Sequence, residues 1–139
     1  MNIDENIKEA AINCRAAWAE CPDAKFAWTC HHGILWEPLT EPAESRIKYI
    51  LEEKYESEIV TRLNNFRPVR VALPPEVEKA GMDYLKARAD AGKAWLHYQK
   101  VWEDLKKASA DYAAELTTLH NTDWPDNTWN GKSIFKWLQ

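Results

Sequence analysis

No stretch of this chain approaches the roughly 18 consecutive apolar residues that a membrane-crossing helix needs, so a spanning segment is not expected. Its first ten residues, MNIDENIKEA, are too acidic and too polar for a secretory leader, which points to the cytosol. Cysteine is scarce and odd in number: Cys14, Cys21 and Cys30 argue against a disulfide framework, which in small secreted domains uses even counts. Reduced thiols are expected. A basic excess is also missing, since 18 Lys and Arg face 22 Asp and Glu. Whole-molecule attraction to phosphate backbones or anionic lipid therefore falls away, and neither nucleic acid nor membrane is an expected partner. What the chain does have is apolar material: 45% hydrophobic and 12% aromatic residues in a total of 139, enough for one core and too short for two domains.

Apolar residues at Ile3, Ile7, Ala11, Cys14, Trp18 and Cys21 fall at steps of three or four and predict a helix over 3–21, with Asn2 and Glu5 spaced as a capping box. The segment AKFAWTCHHGILW, residues 24–36, is apolar and aromatic without a clean period, and a short buried helix ending near Gly33 is the favoured reading over an extended one. Pro38 and Pro42 punctuate a loop. Thr40 is placed to cap a helix with Ala43, Ile47, Ile50 and Leu51 on its core face, and a further helix from Ser57 would bury Ile59, Leu63 and Phe66. RPVRVALPP, residues 67–75, cannot be helical with three prolines, and reads as an extended connector packed on helices, with no second strand to join.

The strongest signal is a repeat. Residues 79–113 are five tandem sevens, KAGMDYL, KARADAG, KAWLHYQ, KVWEDLK and KASADYA. The second places (Ala80, Ala87, Ala94, Val101, Ala108) and the sixth (Tyr84, Ala91, Tyr98, Leu105, Tyr112) alternate by four and three, the seam of a coiled coil. Asp83, Asp90 and Asp104 stand three residues before Lys86, Lys93 and Lys107, a spacing that places charges together on a solvated face. The register extends over 75–120, which as one rod would measure about 68 Å at 1.5 Å per residue. A globule of this chain length is only about 37 Å across. The rod must break, with Gly92 and Ser109 as the break points, or project and meet a partner. Trp95 and Trp102 widen the stripe beside the seam. Tyr84, Trp95, Tyr98, Trp102, Leu105 and Tyr112 are the expected protein-interaction residues.

Chemistry is thinly represented. Cys30, His31 and His32 are adjacent, and with Cys14 and Cys21 they include enough thiol and imidazole for a tetrahedral zinc site. The gap from Cys14 to Cys21 is longer than paired zinc ligands use, and both cysteines also fit a helix core face. Neighbouring residues on a helix point about 100° apart, which disfavours a Cys–His nucleophile, so no catalytic residue is assigned. Gly131, Lys132 and Ser133 end like a phosphate-binding loop, yet Asp126 occupies the place of its earlier glycine. Asn130 and Gly131 instead read as a turn, with Ser133 capping a last helix through Ile134, Phe135, Trp137 and Leu138. The glutamates between Glu41 and Glu58 lie on solvated faces. Arg62, Arg67 and Arg70 form the one basic cluster, suited to an anion or an acidic partner.

Cys30-His31-His32, Glu37-Pro38-Leu39-Thr40-Glu41-Pro42, Arg62-Leu63 with Phe66-Arg67-Pro68-Val69, the Lys-Ala and Tyr repeat, and Trp129-Asn130-Gly131-Lys132-Ser133-Ile134-Phe135 together resemble a family of uncharacterised tailed-bacteriophage and prophage proteins. The resemblance carries no activity. It implies, for relatives, a cysteine pair near the final motif that would join Cys30 and a histidine on a metal; Trp124 and Asn127 stand at those places here.

The expected architecture is one mainly α domain over 1–139. Short helices and an extended connector (1–74) would pack on a long heptad-repeat helix or helical hairpin (75–120), followed by a turn-rich tail with a short terminal helix (121–139), with little or no sheet. The expected function is a non-enzymatic phage-type accessory protein of the bacterial cytoplasm. It would act without a cofactor, through a host or defence protein or a second copy of itself. A zinc module centred on Cys30, His31 and His32 is the alternative, and an unrecognised hydrolase a third.

Overall fold

The computed structural model describes residues 2–89 and 95–135, the side chains of Trp95 and Leu96 excepted. Among these residues the chain runs α1 (Ile3–Ala19), β1 (Phe26–His31), β2 (Ile34–Pro38), α2 (Ala43–Glu53), α3 (Glu56–Asn65), β3 (Arg67–Pro68), α4 (Pro75–Ala89), α5 (Trp95–Asp111) and α6 (Ala113–Asp123). The expectation of a nearly sheet-free protein organised on one long C-terminal helix is overturned. A three-stranded antiparallel sheet of order β2-β1-β3 sits at the centre, and the heptad region is three helices.

Helix α1 forms as the pattern predicts. The Glu5 N–H donates to Asn2 Oδ1 at 2.9 Å, satisfying one orphan amide of the first turn, and Asp4 and Glu5 oppose the positive end of the helix dipole. Ala10, Ala11, Cys14, Ala17 and Trp18 are its buried face. Helix α2 begins after Pro42 without a side-chain cap, so the expected role of Thr40 is not realised.

Residues 26–38 are a hairpin and not the favoured helix. Phe26 and Trp28 point to one side of β1 and Ala27 to the other, and all three are buried. A strand covered on both faces loses the alternation that would identify it and reads as a plain apolar run. The connector also joins this sheet: Ala27 pairs with Pro68 and Trp28 with Arg67, and the Val69 N–H donates to the Phe26 carbonyl at 3.0 Å. Pro68, which has no N–H to give, occupies an edge strand, where proline is tolerated.

The sheet divides the interior into two cores. Ala27 packs with Cys14, Trp18, Ile47, Ile50, Ile59 and Leu63 from α1, α2 and α3, and with Phe66 just past α3. Phe26, Trp28 and Trp36 pack with Val77, Ala80, Tyr84, Val101, Leu105 and Leu116 from α4, α5 and α6. Close approach of α4 to the sheet depends on Gly81, where a Cβ would stand 2.6 Å from Phe26 Cε1 and 3.2 Å from the Trp36 ring.

Of the predicted seam, Ala80, Tyr84, Ala87, Val101 and Leu105 are buried within the chain itself. Tyr84 of α4 lies near Tyr98 and Trp102 of α5 at ring separations of 6.0 and 5.7 Å, while Glu76 and Lys79 at the start of α4 line a shallow cleft with Lys107 and Asp111 at the end of α5. The two helices therefore run antiparallel. At 15 and 17 residues they are about 23 and 26 Å long, short enough for the globule. Gly92, with Asp90, Ala91, Lys93 and Ala94 of the repeat, lies outside the described residues. The second break comes at Tyr112 and not at Ser109. Surface charges pair within three of the five heptads, Lys79 with Asp83, Lys100 with Asp104 and Lys107 with Asp111, at four residues and not at the expected three.

The tail folds back on the hairpin. The Ile134 N–H donates to the His32 carbonyl at 2.9 Å, and the Asn130 side chain accepts the N–H groups of Lys132 and Ser133 around Gly131 at φ +98°, the turn the sequence predicts. Ser133, Ile134 and Phe135 are not helical. The rest of the expected terminal helix, with Trp137 and Leu138, lies outside the described residues.

Candidate functional site

The hairpin carries one irregularity. Trp28 pairs with Trp36 and His31 with Ile34, so three steps along β1 oppose two along β2. The extra residue produces a bulge, and Thr29 there has φ +45°, a left-handed conformation in which a β-branched side chain is strained. Its hydroxyl holds it in place, donating to the buried Asn65 carbonyl at 2.6 Å.

Beyond the bulge, Cys30, His31 and Glu37 come together: one ligand-type atom from each lies within 4.8 Å of the others. His31 Nδ1 and Glu37 Oε1 are 2.5 Å apart. Cys30 is half-buried, and its thiol is pushed up to about 12, by burial first and then by the Glu37 carboxylate, with Arg46 opposing. Without a cation the sulfur is a neutral thiol and a poor nucleophile.

His31 and Glu37 also line a cleft of about 500 Å³ between the hairpin and the α4–α5 pair. Ile34 and Trp36 form its sheet wall, and Tyr84, Arg88, Trp102, Leu105, Lys106 and Ser109 its helical wall. Trp36 fixes the junction by donating its indole N–H to Ser109 Oγ at 3.0 Å, and that hydroxyl donates to the Leu105 carbonyl. Tyr84 and Trp102 are shared with an adjoining cleft of about 580 Å³, completed by Tyr98, Gln99, Lys100 and Glu103. The Tyr84 hydroxyl, 3.3 Å from that of Tyr98, and after it the nearby Arg88 guanidinium draw the Tyr98 phenol below its ordinary range.

Of the proposed zinc ligands only Cys30 and His31 meet. Cys14 is in the α1–α3 core, donating its thiol to the Phe66 carbonyl at 3.3 Å, and burial pushes it up to about 12. Cys21 lies past the end of α1. His32 turns to the tail, 3.1 Å from Ser133 Oγ and stacked near Phe135. Glu37, which the sequence reading passed over, takes the third place. Among the expected interaction residues Tyr84 and Leu105 are buried, Tyr98 and Tyr112 are partly buried, and Trp102 is open; the Trp95 side chain lies outside the description.

The basic cluster is dispersed. Arg62 pairs with Glu58 at 2.7 Å and lies over the Phe135 ring. Arg67 donates to the Leu63 and Phe66 carbonyls. Arg70 stacks on Trp124 at 3.4 Å and pairs with Asp123. Sequence reasoning also missed the buried group around Asp123 and His120, since the sheet partner that covers it is far away in the chain.

Comparison with family models, with curated proteins and with solved structures finds no match to this chain. No helix among the described residues is long and apolar enough to cross a membrane.

Proposed function

We propose that this protein is a non-enzymatic binding module that seats a partner protein in the paired clefts around Trp102. The observation that carries this reading is a contrast within the repeat. Tyr84, Val101 and Leu105 of the seam are buried against their own chain, whereas Trp102 remains 40% exposed and Ile34, across the cleft, 47%. Indole and aliphatic surface left open in a concave site, with Arg88, Lys106 and Glu37 around it, is the composition of a recognition surface: an apolar anchor position inside a polar surround. The resemblance to phage proteins supports a bacterial host or defence protein as the partner and the host cytoplasm as the place of action.

The experiment is capture from bacterial lysate by the immobilised protein, with light scattering of the free protein alongside. A defined partner should be retained by the wild type, lost about tenfold or more by a Trp102→Ala, Ile34→Ala variant, and kept by Tyr55→Ala, which truncates a still more exposed aromatic outside the clefts. A dimer abolished by the same double variant would make the partner a second copy. Capture that ignores both substitutions, or a wild type that stays monomeric and retains nothing, would refute the reading.

A further inference from the structure

We infer that Cys30, His31 and Glu37 form a three-ligand site for a zinc-type divalent metal ion at the edge of the cleft. Thiolate, imidazole and carboxylate are the donors that zinc accepts, and a tetrahedral shell with bonds of about 2.0–2.3 Å sets neighbouring ligand atoms roughly 3.3–3.8 Å apart. The three atoms already lie within 4.8 Å of one another, on side chains from both strands of one hairpin. His31 Nδ1 and Glu37 Oε1, at 2.5 Å, must open by about 1 Å, a small side-chain rotation that exchanges one hydrogen bond for two metal bonds.

Two features favour a built site over a chance surface pair. The bulge that brings Cys30 and His31 to Glu37 is held by Thr29 at φ +45°, and strain of this kind costs on the order of 1–3 kcal/mol and concentrates at functional positions. The Cys30 thiol, moreover, donates to no acceptor among the described residues, so a metal–sulfur bond displaces no hydrogen bond of the sulfur. Charge also closes: one thiolate and one carboxylate neutralise a divalent ion, with the S–H proton leaving to solvent. Three protein donors leave a fourth position. His31 and Glu37 line the cleft, so that position belongs to water or to a donor atom of the cleft's occupant.

The ligand set differs from a Cys30, His31, His32 module, and the test separates the two. The reduced, chelator-treated full chain is titrated with cobalt(II) and then with zinc. One equivalent of cobalt should bind with a thiolate-to-cobalt charge-transfer band in the near ultraviolet, which zinc abolishes. Cys30→Ser should remove the band, and His31→Gln and Glu37→Gln should each weaken uptake about tenfold or more. His32→Gln and Cys21→Ser should change nothing. Circular dichroism checks folding, and Glu37→Gln serves if Cys30→Ser fails to fold. No band in the wild type, a band surviving Cys30→Ser, unweakened uptake in Glu37→Gln, or loss in His32→Gln would each overturn the assignment.

Discussion

Trp28 on β1 donates its indole N–H to the Asp123 carboxylate on α6 at 2.9 Å, both groups fully or nearly fully buried. The same carboxylate accepts the Arg70 backbone N–H at 2.7 Å and the Arg70 guanidinium Nε at 3.0 Å, and the guanidinium also reaches the Asp123 carbonyl. One acidic side chain thus joins the centre of the sheet, the connector and the last helix.

Removing that acceptor strands three donors, whereas removing one donor leaves the carboxylate still served by the others. Asp123→Ala is expected to destabilise by about 3–5 kcal/mol, the range for breaking a buried charge pair. Trp28→Phe keeps most of the ring's burial and should cost only about 1–2 kcal/mol. Urea unfolding followed by far-ultraviolet circular dichroism measures both; equal losses would show that the carboxylate is not the hub.

His120 lies against Trp28 with ring centroids 4.8 Å apart, is fully buried, and has no hydrogen-bond partner at either ring nitrogen among the described residues. Burial pushes its pKa down to about 4, with Asp123 opposing only weakly. The unfolded chain takes up a proton near pH 6.5 that the folded chain refuses. Stability is therefore complete above about pH 6.5 and declines as pH falls toward 4, by at most about 1.4 kcal/mol per pH unit from this group. His120→Phe should flatten the decline between pH 6.5 and 4.5. A signal assigned to the His120 imidazole, by its loss in His120→Phe, that titrates near 6.5 in the folded protein would contradict the assignment.

Gly81→Ala sets helix propensity against packing. Propensity favours alanine by about 1 kcal/mol in a helix interior. The new methyl, however, would stand 2.6 Å from Phe26 Cε1 and 3.0 Å from Cζ, and overpacking a core costs about 1–3 kcal/mol. A net loss of stability is expected, reduced when Phe26→Leu is added. A more stable single variant would mean that α4 is free to shift off the sheet.

How much of this was legible follows the reach of each interaction. Helix α1 could be read from Asn2 through Trp18 because its cap and its stripe are local, contained in the helix's own turns. The turn at Asn130 and Gly131 was legible for the same reason. The hairpin was not: Phe26, Ala27 and Trp28 are covered on both sides by elements later in the chain, or before it in α1, so no period survived to announce a strand. At the metal corner the residue types at Cys30 and His31 were visible, but Glu37 was not, because a bulge at Thr29 and an antiparallel register deliver it. His32, adjacent in sequence and chemically suited, is turned away by the tail that bonds its carbonyl.

Sequence alone determined which faces of each helix are apolar and where the heptads run, because side-chain periodicity follows from 3.6 residues per turn. Tertiary structure decided what covers those faces. Burial of apolar surface is non-directional; Ala80, Tyr84, Val101 and Leu105 specify a stripe and not its occupant. Antiparallel packing of α4 on α5 turned a possible rod into a self-paired set of helices and left Trp102 40% exposed.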